Sequence, residues 1–78
     1  MITYHIIEIQ NRADGINNVQ PIESRQSLAT GLSYFYQRCS TMAGTTLYPT
    51  VTLMLIDSEG RIIENKHLTT AYVEPEES

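Results

Sequence analysis

The sequence predicts an α+β domain, with one helix packed on one face of a mostly antiparallel sheet of three to five strands, in β(β)αββ(β) order. Three observations predict it. Leu28, Leu32, Phe35, Cys39 and Met42 recur at steps of 4, 3, 4 and 3, one stripe of a helical period. Residues 48–56 alternate, with Val51, Leu53 and Leu55 on one face and Thr50, Thr52, Met54 and Ile56 on the other. Turn chemistry separates the segments: Asp14-Gly15 early in the chain and Asp57-Ser58-Glu59-Gly60 late in it. A helix and a sheet that each have one apolar face can bury one another.

Residues 2–10 read as a first strand, in which Ile2, Tyr4 and Ile6 alternate with Thr3 and His5. The alternation then slips, because Ile7 and Ile9 are apolar while Glu8 and Gln10 are polar. A bulge near Ile6-Ile7 accounts for the slip, and so does partial burial of both faces. Residues 11–20 form a polar loop or wide hairpin, and residues 19–22 a short edge strand, where Pro21 is tolerated. The helix spans roughly 25–43, capped by Ser24 or Ser27 and stopped at Gly44. Gly31 in its interior, disfavoured by about 1 kcal/mol relative to Ala, points to close approach of helix and sheet. Residues 61–64 return as the partner of the 48–56 strand, and 68–73 supply one more short strand. The expected domain is 1–73, followed by an acidic, disordered tail at 74–78.

With 78 residues the chain makes one domain, and 41% hydrophobic against 18% charged residues is a globular balance. Five Lys+Arg against nine Asp+Glu leave a net charge of -4, which supplies no basic stripe for phosphates. Direct nucleic-acid binding is therefore not expected. The single cysteine allows no internal disulfide and fits a reducing compartment. The start, Met1-Ile2-Thr3-Tyr4-His5, lacks the pattern of a signal peptide, and the longest apolar run, Leu53-Met54-Leu55-Ile56, is far short of a membrane span. A cytoplasmic location without membrane contact is expected.

Chemistry-bearing residues give no catalytic constellation. Cys39 sits inside the helix stripe and reads as core. His5, His67 and Cys39 lack metal-ligand spacing, so no metal or cofactor is expected. Glu8, Asp57, Glu59 and Glu64 show no sign of the apolar enclosure that a general acid needs. Glycine-rich phosphate motifs are absent from the sequence. The features that suggest recognition are Tyr34 and Arg38, four apart on one helix flank and able to touch, and the polar loop Gln10, Arg12 and Asp14. Arg25 joins them from the first residue of the expected helix. These six are the candidate partner-binding residues.

Several strings resemble a small phage-encoded anti-CRISPR family, the type I-F inhibitors numbered nine. They are Tyr4–Asn11, with its Ile-Ile-Glu-Ile-Gln-Asn end, then Ile22-Glu23, Cys39 and, more loosely, Thr50-Val51. The resemblance implies a non-enzymatic inhibitor that binds the Cas7 backbone of a guide-RNA surveillance complex and blocks target-DNA hybridisation. An acidic domain suits such a basic channel. The family's basic helix cluster, linked to nonspecific DNA capture, falls here on Gly31, Leu32 and Ser33. The alternative reading is a small homo-oligomeric structural or regulatory protein, self-associating through an edge strand or the Thr50/Thr52/Met54/Ile56 face.

Overall fold

The computed structural model describes residues 2–73, so the acidic tail expected at 74–78 lies outside the described residues. Its elements are β1 (Tyr4–Asn11), β2 (Asn17–Arg25), α1 (Leu28–Ala43), β3 (Thr50–Asp57) and β4 (Ile62–Thr69). The four strands form one antiparallel sheet in the order β2-β1-β3-β4. Helix α1 crosses one face, centred on β3 and in contact with all four strands. The α+β architecture follows the sequence reading.

The first hairpin closes on Asp14-Gly15. Gly15 takes φ +88, a conformation that side-chain-bearing residues rarely adopt, and Asp14 Oδ1 accepts the Ile16 amide at 3.0 Å. This tight turn lets β2 pair with β1 over its whole length, so the strand expected at 19–22 runs from Asn17 to Arg25. It is an edge strand, as Pro21 requires.

The register shift between β1 and β2 falls at Ile6/Ile7, but Ile22 of β2 is the extra residue. β1 therefore keeps its alternation throughout. Ile6, Glu8 and Gln10 are buried under the helix, while Ile7 and Ile9 are half-buried on the open face. The bulge lies at the expected place, but on the partner strand, and partial burial of both faces accounts for the apolar residues at 7 and 9.

The helix begins at Leu28, later than the expected 25, because Ser27 is the cap. Its hydroxyl accepts the Thr30 amide at 3.5 Å. Gly31, Phe35, Cys39 and Met42 are buried, whereas Leu28, the first residue of the predicted stripe, is 39% exposed. Phe35 packs with Ile6, Val51, Leu53 and Leu55, all fully buried. Each such side chain contributes about 1.5–3 kcal/mol relative to exposure.

Gly31 lies where the helix comes down on the sheet. A Cβ there would stand 3.4 Å from the Tyr4 Cβ and 3.6 Å from Leu55 Cδ1. Those are ordinary contact distances, so a methyl group fits and a larger group does not. Gly31→Ala is expected to stabilise the domain by up to about 1 kcal/mol through helix propensity, and Gly31→Leu to destabilise it by about as much or more through overpacking. Chemical denaturation of the two variants checks both signs.

β4 is one continuous strand from Ile62 to Thr69. The short partner expected at 61–64 and the extra strand expected at 68–73 merge into it, and 70–73 form no strand. An extra residue, Ile63, opposite Leu55/Ile56 interrupts the ladder and masked the continuity.

Candidate functional site

Two acidic side chains on the helix-facing side are buried, and each has a dedicated arginine. Glu8 is 0% exposed. It accepts Arg38 Nε at 2.7 Å on Oε1 and an Arg38 terminal nitrogen at 3.2 Å on Oε2, while Gln10 Nε2 donates to Oε2. This bidentate pair ties α1 to β1, and Glu8 in turn holds the Arg38 proton more firmly than usual. Arg38 is therefore not a free surface anchor: its fork points into the protein. Gln10 belongs to β1 rather than to the polar loop, and its side chain is buried in the same network.

Asp57, 2% exposed, organises the β3–β4 turn. Its Oδ1 accepts the Arg61 and Glu59 amides at 2.9 Å each, and its Oδ2 accepts Arg61 Nε at 2.7 Å. The Arg61 amide above all, then the Arg61 guanidinium and the Glu59 amide, hold its carboxyl below the ordinary 3.8. A lowered folded-state value contributes stability that is complete above 3.8 and is lost as pH falls through the folded-state value. Asp57→Asn is therefore expected to flatten the acid limb of the stability profile below 3.8, read from urea midpoints across that range.

Tyr34 and Arg38 do not stack on one another. Arg25, expected on the helix, is instead the last residue of β2 because Ser27 caps α1, and it lies over the Tyr34 ring, 5.4 Å from its centroid. Arg25 also pairs with Glu23 at 2.9 Å. Beside this stack, Tyr34, Gln37, Arg38 and Thr41 line a shallow hollow of about 250 Å³ on the α1 flank. Sequence reasoning missed Gln37 and Thr41. Their steps of 3 and 7 from Tyr34 were the available signal.

Arg12 and Asp14 pair with one another at 2.9 Å at the tip of the first hairpin. Arg25 lies opposite Tyr4 and the hairpin follows Asn11, so seven residues of strand separate the two places, about 23 Å at ~3.3 Å per residue. The structure thus gathers Arg25, Tyr34 and Arg38 on one flank. It sets Arg12 and Asp14 at the other end of the sheet and buries Gln10. A second hollow of about 360 Å³ lies beside Arg12, lined by Pro49, Thr70 and Tyr72 among others.

The remaining candidates are structural in their geometry. Cys39 is 9% exposed, and burial pushes its thiol above the ordinary value, which disfavours the nucleophilic thiolate. His5 and His67 face away from the helix, so the sheet lies between them and Cys39. No helix among the described residues is long and apolar enough to cross a membrane. Comparison with known protein families, with curated proteins and with solved structures finds no match for this chain.

Proposed function

We propose that this chain is a non-enzymatic, protein-binding inhibitor. It acts in the bacterial cytoplasm, docks on the Cas7-type backbone of a type I CRISPR surveillance complex and sterically blocks target-DNA hybridisation. The target follows from the resemblance carried by Tyr4–Asn11, Ile22-Glu23 and Cys39. The observation that carries the binding role is the α1–β2 flank. There the Arg25–Tyr34 stack borders a hollow whose floor includes the anchored Arg38. An aromatic ring and arginines around a preformed depression are the composition of interface hot spots. Arg38 is held by Glu8 and Tyr34 is half-buried, so the flank loses little side-chain freedom on docking.

Charge supports the same partner. A chain of net charge -4 is drawn to a basic channel, which speeds and orients encounter. The positions of the family's basic cluster are a buried Gly31, a half-buried Leu32 and an exposed Ser33, so the isolated chain captures no DNA. The Arg12–Asp14 hairpin tip, at the far end of the sheet, serves as a secondary contact. A competition assay tests the reading. Titrating the chain into an assembled type I-F complex should abolish binding of labelled target DNA, while the chain alone shifts no DNA. Unchanged target binding at saturating chain would refute it.

A further inference from the structure

The face of the sheet opposite α1 carries no Asp, Glu, Lys or Arg side chain. By register it comprises alternate residues of all four strands, from His5–Ser24 at one end to Asn11–Asn17 at the other. Every charged side chain among the described residues lies elsewhere. Glu8, Glu23, Glu64, Lys66, Arg25 and Asp57 face the helix side, and the rest sit in turns or on α1. Seven of its sixteen residues are apolar, Pro21 among them. Ile7, Ile9, Met54 and Ile56 form its centre, and Val19 and Ile62 extend the patch to the two edge strands at 63% and 58% exposure. Threonines, asparagines and serine rim it. The two imidazoles on it are already bonded within the face, His5 to Ser24 Oγ at 2.9 Å and His67 to Thr52 Oγ1 at 2.7 Å.

A sheet face left to water normally alternates in polar and charged residues. One with an apolar centre, a neutral polar rim and satisfied internal bonds has the anatomy of an interface. We propose that this face is a self-association surface, covered by the same face of a second copy across a two-fold axis.

Charge selects the occupant. Two copies, each of net charge -4, repel wherever their carboxylates meet, and this is the surface on which none would. A basic partner would find no complementary group there. The area is sufficient: strands of about 26 Å across a sheet about 19 Å wide cover roughly 500 Å² per copy. Two copies would bury about 1,000 Å², the lower limit for a specific interface, which predicts a dimer of moderate affinity. Sheets packed in this way lie ~10 Å apart with their strands about 30° from parallel. Both α1–β2 flanks then point outward, free for another partner.

Sedimentation of the full chain from about 1 to 200 µM tests the proposal, with a dimer expected in the micromolar range. Ile9→Lys at the centre and Val19→Lys at the exposed margin should each raise the dissociation constant at least ~tenfold by burying a charge against apolar surface. Ser40→Lys, on the exposed side of α1, should leave it unchanged. Circular dichroism confirms folding, and Val19→Lys, at a largely exposed site, keeps the test valid should Ile9→Lys unfold. A monomer at every concentration would overturn the proposal, as would a dimer that survives both face substitutions. Either result leaves the inhibitor reading intact, because that reading is scored by displacement of target DNA.

Discussion

Arg38→Met is expected to lower the unfolding free energy by about 3 kcal/mol, the low end of the range for breaking a buried ion pair. The low end applies because Arg38 keeps 32% of its side chain exposed while Glu8 keeps none. The loss does not measure the attraction between the two groups. It reflects the carboxylate left behind, buried beneath the helix with only the Gln10 amide to solvate it. A domain of 78 residues has a total stability of roughly 4–12 kcal/mol, so this one change consumes a large fraction of it. Glu8→Leu combined with Arg38→Met should recover most of the loss, because neither charge is then buried. Urea denaturation of the single and double variants forms the cycle. A double variant as unstable as Arg38→Met alone would show that the loss comes from packing of the arginine stem. Arg38→Glu would be worse still, with two carboxylates sharing one buried site, so it is unsuited to a binding test.

The second large effect concerns binding. Tyr34→Ala should weaken docking on the surveillance complex by about 2 kcal/mol, close to 30-fold. The ring supplies the wall of the hollow and the platform for Arg25. Tyr34 also packs against the core, so its thermal unfolding must be followed in parallel. Arg25→Glu separates the two contributions. Its side chain is 42% exposed, so the fold should persist while the flank loses its cation and gains an acid beside Glu23. Toward a basic channel the added negative charge should raise the association rate and steepen its salt dependence, while loss of the Arg25 contact should raise the dissociation rate. Wild-type affinity in both variants would move the docking surface away from this flank. The hairpin tip, with Arg12 and Asp14, would then be the contact that remains.

Period and turn chemistry made the architecture legible, since both act over a few residues. The β3 alternation and the Asp14-Gly15 turn place their elements because local backbone geometry decides them. The misreadings concern groups whose partners are distant in sequence. Glu8 and Gln10 break the apolar pattern of β1, but Arg38, thirty residues on, compensates Glu8 from across the layer. Read alone, polar residues at 8 and 10 point to a slipped strand. Arg38 read as an exposed anchor for the same reason, because a helical wheel shows the flank it occupies and not the carboxylate beneath it. Leu28 continued the apolar stripe, yet it is the first residue after the Ser27 cap and is left partly exposed. Arg25 and Tyr34 meet because β2 extends past its expected end. The extra pairing follows from the bulge at Ile22, which had no clear local signature.

Co-elution with a purified, assembled type I-F surveillance complex in size exclusion, before and after target DNA is added, tests the central claim most directly. The account predicts that the chain travels with the complex and that target DNA then elutes free. A chain that elutes alone at micromolar concentration, with target DNA bound to the complex as usual, would contradict it.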